Sequence, residues 1–309
     1  MNILLFTHQN DIDGMGSIVL SKLAFQNVDY IACKTFDLPK KFTEFINNQK
    51  IYNYDKIFIT DLCLEENLLK FINEDEILKH KIVIIDHHET YNKEKYTRYP
   101  FVNIKIRNEK GLCSGTSLFY EYLIQNELLK ETNIILEFVE LTRQHDTWEW
   151  KNIYHNEKSR ELAILFDTLG LEGYIDFLYE KLKTQQEFNF TKIESILINN
   201  KKIEINNTIK EYLKNIHYKN ILGLKGAIFF INYEFRNELA DYLKDNNYDI
   251  DFVMMISLDK ESVSYRSIKS NVSVRKIAEY FNGKSHDVAA TNPITAFKQN
   301  EIIKILTKK

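Results

Sequence analysis

The chain has 309 residues, 44% of them hydrophobic, with 41 basic and 44 acidic side chains and a formal net charge of −3. That length favours two compact units over one core, and the near-neutral balance excludes a protein that grips long nucleic acid through bulk positive charge. Three scattered cysteines, Cys33, Cys63 and Cys113, form no C-x-x-C pair, which excludes a disulfide framework and a zinc knuckle and fits a reducing cytoplasm.

The opening MNILLFTHQND passes from a short apolar run straight into polar residues, too short for a leader core or a membrane span, and no later segment is long enough to span a bilayer. Strands are expected at 2–7, 28–33, 56–60 and 81–85, separated by helical patterns around 18–25, 40–47 and 65–72. Short β-rich runs alternating with helices predict βαβ units and a parallel sheet, and continuous rather than alternating hydrophobicity predicts strands buried on both faces. From Ser114 onward apolar residues recur at helical spacing, so a helical subregion completes a first domain at 1–185. Residues 186–218 are highly polar and read as a helical connector. Beyond it GAIFFIN, DFVMMISL and ESVSYRS read as strands, with NELADYLKDN and VRKIAEYF as helices, giving a smaller α+β domain at 219–309. The fold class is α/β.

Three polar clusters each follow a buried strand: His8, Asp11 and Asp13 after the first, Asp61 after the third, and Asp86, His87 and His88 after the fourth. The carboxyl ends of parallel strands line one crevice, so groups distant in sequence converge there. Crowding carboxylates and imidazoles is costly unless cations neutralise them. Ligation by oxygen and imidazole without thiolate suits manganese first, with magnesium, cobalt or zinc as substitutes. Taken singly, Asp11 and Asp13 in NDIDG could only shape a turn and cap a helix, and Asp61 could only cap the next one. Those separate roles do not explain why such groups follow three different strands.

These residues resemble the DHH phosphoesterase family, named for the motif that stands here as Asp86-His87-His88. THQNDIDGMGS resembles the family's first motif, ITDLCL its second and RQHDTWEW its fourth. The resemblance implies one cation held by His8, Asp11 and Asp61, and a second held by Asp13, Asp61, His87 and Asp146. It implies that His88 faces the substrate phosphate and that Asp86 fixes an imidazole from behind. The gap between His8 and Asp11 differs by one residue from that in several members. The C-terminal stretch VSYRSIKSNVSVRKIAEYFNGKSHDVAAT resembles the DHH-associated substrate-binding domain, with Arg266 on its phosphate-gripping arginine and Ser267, Gly283 and His286 as further substrate contacts. Two glycines of that domain's loop are replaced here by Lys284 and Ser285, which re-aims the loop or adds a charge for phosphate.

Two cations sharing Asp61 would lie about 3.5 to 4 Å apart and lower the pKa of a water for in-line attack on phosphorus. The resemblance to the oligoribonuclease branch implies an exonuclease on short RNA oligonucleotides, extending to phosphoadenosine phosphate. A cyclic or linear dinucleotide phosphodiesterase is the alternative, and a catalytically weak nucleotide-binding module a further one. Inorganic pyrophosphatase would call for denser Lys and Arg. Trp148, Trp150 and Tyr265 could stack on a base, but core packing is the expected role. No long duplex and no membrane partner is expected, and a homodimer is admitted.

Overall fold

The computed structural model describes residues 1–281, 284–285 and 289–293 and divides into two compact units, Met1–Ile198 and Asn199–Lys309. The first is built on five parallel strands, β1 (Asn2–His8), β2 (Asn27–Cys33), β3 (Lys56–Thr60), β4 (Ile82–Asp86) and β5 (Val102–Ile104), in the order β2-β1-β3-β4-β5. The apolar runs of β1, β3 and β4 reflect burial on both faces, whereas β2 at the sheet edge carries exposed Asn27 and Asp29 and buries only Cys33. Ile3 and Leu5 turn to one side and pack with the helices Ile12–Ala24, Gly115–Gln125 and Asn133–Asp146, whereas Leu4 and Phe6 turn to the other and meet Leu38, Phe42, Leu69 and Ile72. Each such side chain removed from water contributes about 1.5 to 3 kcal/mol before entropy is counted.

The order places the reversal of winding between β1 and β3. From β1 the chain crosses to β2 on one side, and from β3 it crosses to β4 on the other, so the loops leaving β1 and β3 diverge and open a crevice between their carboxyl ends. Two buried threonines fasten the strands at that point: Thr60 Oγ1 donates to Thr7 Oγ1 at 3.0 Å, and Thr7 Oγ1 to the carbonyl of Gly14 at 3.2 Å.

Element bounds differ from the sequence expectation in instructive ways. Strand β4 runs through Asp86, and the first helix begins at Ile12, not near residue 18. Gly14 and Gly16 weaken the helical signal, yet a Cβ at Gly14 would collide with the carbonyl of His8 and one at Gly16 with Thr116, so close packing outweighs propensity. The three-residue β5 and the hairpin of β6 (Arg107–Asn108) and β7 (Gly111–Leu112) are too short to carry a periodic pattern.

The second unit holds a mixed sheet of β8 (His217–Ile221), β9 (Leu224–Phe230), β10 (Phe252–Ser257), β11 (Ser262–Ser267), β12 (Lys284–Ser285) and β13 (Ala289–Pro293), in the order β12-β13-β11-β10-β9-β8. Among the described residues of this unit, only β9 and β10 pair in parallel. Leu222 and Gly223 between β8 and β9 both have positive φ, the two-residue hairpin turn that usually announces itself as Asn-Gly. Phe229, Val253 and Met255 pack with Leu239 and Leu243 of the helix Arg236–Asp245 on one face, and Met254, Ile256 and Tyr265 with Ile277 on the other. The helix Lys192–Leu213 buries Ile198 in the first core and Ile205 and Ile209 in the second. Among the described residues the three cysteines are free and buried, and no helix is long and apolar enough to cross a membrane.

Candidate metal centre

The loop after β1 brings three polar groups to the crevice in different ways. Asp11 caps the helix Ile12–Ala24 through its Oδ1, which accepts from the N–H of Gly14 at 3.0 Å, and its Oδ2 lies 2.6 Å from His8 Nδ1. The capping role and the site role coexist on one carboxylate. Asp13, fully buried in the first turn, accepts the N–H of Gly115 at 2.6 Å and that of Thr116 at 2.9 Å. It is thereby fixed by the free backbone donors that open the helix Gly115–Gln125.

Asp61 follows β3 in left-handed backbone conformation, with φ of 58°, a state aspartate tolerates better than most residues. Its N–H donates to the carbonyl of Ile85 at 3.0 Å, pinning the turn against β4. Gly115 must be glycine here, because a Cβ would stand about 2.5 Å from that of Asp61 and 3.0 Å from a carboxylate oxygen of Asp13. His87 Nε2 lies 3.1 Å from Asp61 Oδ1, 3.5 Å from Asp146 Oδ2 and 3.9 Å from Asp13 Oδ2. His88, with its side chain 51% exposed, has Nδ1 2.8 Å from Asp86 Oδ1, while the second oxygen of the buried Asp86 has no hydrogen-bond partner among the described residues.

The structure therefore brings all eight of the N-terminal residues singled out from sequence into one place. Ligand atoms of His8, Asp11 and Asp61 lie within 4.8 Å of one another, as do those of Asp13, His87 and Asp146, and those of Asp61, Asp86, His87 and His88. Five carboxylates thus crowd against three imidazoles, and the titration of Asp61, Asp146, His87 and His88 records the strain. Burial, then the charges of Asp13 and Asp11, holds the Asp61 carboxyl well above its ordinary range. Burial and Asp13 push Asp146 up to about 7. Burial alone would lower His87 and His88, but the surrounding carboxylates prevail, raising His87 and carrying His88, hydrogen-bonded to Asp86, to about 9. Burial likewise opposes both partners of the His8–Asp11 contact, and their mutual attraction wins, raising His8 and lowering Asp11. Oxygen and imidazole donors crowded and buried in this way are ones from which divalent cations of borderline-hard character displace protons. The residues fit such ions.

In the second unit Arg266 is on β11, its NH1 donating to the carbonyl of Tyr265 and its NH2 to Asn237 Oδ1, each at 3.0 Å. Burial and the neighbouring Arg236 lower it to about 10. Ser267 Oγ is engaged with the carbonyls of Lys269 and Val272, both at 2.7 Å. Gly283 and His286 lie outside the described residues, and Lys284 and Ser285 are placed by backbone only, on β12. Tyr265 and Trp150 are core residues, whereas Trp148, two positions beyond Asp146, is 38% exposed.

Sequence reasoning passed over several members of this neighbourhood. The N–H groups of Gly115 and Thr116 hold Asp13 from about a hundred positions away, and backbone donors leave no residue signature. His145 stacks on Trp150 and is pushed down to about 4, chiefly by burial, so its imidazole is neutral beside Asp11. In the second unit, taken by itself, Arg236 stacks on Tyr233 at 3.9 Å, and an arginine at a helix start carries no sequence signal of its own.

Comparison with known proteins agrees with this geometry. Residues 2–142 match the DHH family, N-terminal domain. The oligoribonuclease NrnB of Bacillus subtilis (strain 168) is 31% identical over 297 residues, which is 94% of this chain and 72% of that protein. Among solved structures, the DHH domain of a protein assigned to a family of ribosomal proteins superposes with a TM-score of 0.62 at 13% identity, covering 98% of this chain and 85% of that one. A pGpG-specific phosphodiesterase from Vibrio cholerae does so with 0.54 at 14% identity, covering 99% and 98%. At such identities the two structures bear on the fold alone.

Proposed function

The chain belongs to the DHH family of metal-dependent phosphoesterases, and from that membership we propose that it hydrolyses short oligoribonucleotides from an end, using two divalent cations with manganese as the first choice. The observation that carries the two-cation reading is the convergence of the ligand groups at the tips of β1, β3 and β4, where Asp61 belongs both to the His8 and Asp11 group and to the Asp86, His87 and His88 group, and His87 links the latter to Asp13 and Asp146. The substrate is supported by the oligoribonuclease that matches 94% of the chain.

His8, Asp11 and Asp61 would hold one ion, and Asp13, Asp61, His87 and Asp146 the other. When bound, the ions supply Lewis-acid charge to the phosphate and an activated water. Asp86 Oδ1 fixes the His88 ring through Nδ1, and this half-exposed ring would face a substrate phosphate. In the second unit, Arg266 and Arg236 act on each other as like charges, opposed by Tyr233 and Asp241. Two guanidinium groups that feel each other's charge support a phosphate contact at Arg266, reinforced by Arg236.

The test is a product time course with manganese on five-nucleotide RNA, linear and cyclic dinucleotides, and pyrophosphate. The expected result is stepwise shortening of the RNA at the highest rate. Cyclic dinucleotide turned over fastest would replace the substrate reading. No turnover of any substrate above that of an Asp61→Asn variant would leave a binding module.

A further inference from the structure

Arg143 is the largest fully buried side chain among the described residues, only 2% exposed, one helical turn before Asp146. Its fork grips Glu140 twice, at 2.9 Å through Nε and 2.7 Å through NH2. Its NH1 donates to Glu149 Oε2 at 2.5 Å and to the carbonyl of Leu112 at 2.8 Å. Glu149 in turn accepts the N–H of Leu112 at 3.2 Å. The ion pair therefore holds both backbone groups of a single residue, as a neighbouring strand would. The fit is close: a Cβ on the preceding Gly111, with φ of 134°, would stand 2.9 Å from Glu149 Oε1 and 3.3 Å from Arg143 NH1.

Leu112 is three residues before Gly115. Between them Cys113 donates its N–H to Ile106, and Ser114 closes a capping box with Ser117, so the register set at Leu112 passes directly to the N–H groups that grip Asp13. Resting on the two-cation reading above, we infer that Arg143, with Glu149, is a positioning device for the Asp13, His87 and Asp146 half of the centre. It ties the segment that fixes Asp13 to the helix that delivers Asp146. Apolar packing would join these segments with comparable stability, because desolvation consumes most of what a buried ion pair returns. What the guanidinium fork adds is direction.

The experiment is manganese titration of the full chain by calorimetry, with wild type, Glu149→Gln and Arg143→Lys, beside melting temperatures. Glu149→Gln keeps the shape and loses the charge; Arg143→Lys keeps the charge and loses the fork. The expected result is one ion weakened about 10- to 100-fold, as for other partners that orient ligands from behind, with the second changed less than about twofold. Saturating manganese then restores kcat, with KM unaltered. A folded variant that binds both ions as wild type does, or one in which both ions weaken in step with a lower melting temperature, overturns the inference. Should Arg143→Lys fail to fold, Glu149→Gln decides on the same criteria. A wild-type chain that takes up no manganese at all sinks the two-cation reading itself, and the positioning role with it.

Discussion

The two compact units treat charge in opposite ways. In Met1–Ile198 five aspartates crowd with three histidines at the tips of parallel strands, and Asp13, Asp61 and Asp86 are buried. In Asn199–Lys309 the concentration is positive, with Arg236 and Arg266 acting on each other as like charges across a part-buried setting. Like charges brought together at the cost of desolvation indicate a partner of the other sign. On the proposed reading cations complement the first set and phosphate the second, so variants in the two units should fail in different ways.

The largest effect is expected at Asp61. Asp61→Asn keeps the shape and the tolerance for left-handed backbone but removes the charge common to two ligand groups; the rate on short RNA should fall on the order of a thousandfold, with far-UV circular dichroism unchanged. A loss below tenfold would deny Asp61 its shared role. Gly115→Ala comes next, because its new methyl group meets Asp61 and Asp13; manganese affinity and rate should drop about 10- to 100-fold, and wild-type affinity would show that the approach can relax. Arg266→Ala should raise KM about tenfold or more while leaving manganese affinity intact. If it weakened the metal instead, the division between the units would collapse. The smallest effect is a proton count. With Asp61 held well above its ordinary range and Asp146 near 7, ion uptake at pH 6 should release protons, and the Asp146 share should vanish as pH rises past about 7. Calorimetry at pH 6 in two buffers of different ionisation enthalpy reads this directly, and identical heats would contradict it.

Much of this architecture was legible before any coordinates. Unbroken apolar runs mark β1, β3 and β4 because both faces of the sheet are covered there, while the edge strand β2 is interrupted by exposed Asp29; polar residues after β1, β3 and β4 mark the crevice because winding direction reverses there. Asp86 was placed one step late, beyond β4 when it ends that strand; a carboxylate with its charge shared with His88 can finish a buried strand. The helix Ile12–Ala24 was shortened in expectation because two glycines depress propensity, although both are required by contact. What stayed hidden was long-range and backbone-borne: the grip of Gly115 and Thr116 on Asp13, the clamp of Arg143 and Glu149 on Leu112, and the Leu222-Gly223 turn. None of these is written in the local residue pattern.

The claim on which the rest turns is that the strand-tip cluster holds a pair of divalent ions. Crystals equilibrated with manganese and measured near its absorption edge address it most directly. The account predicts two anomalous peaks, one against His8, Asp11 and Asp61 and one against Asp13, Asp61, His87 and Asp146. Well-ordered side chains at these positions with no anomalous peak among them would contradict it.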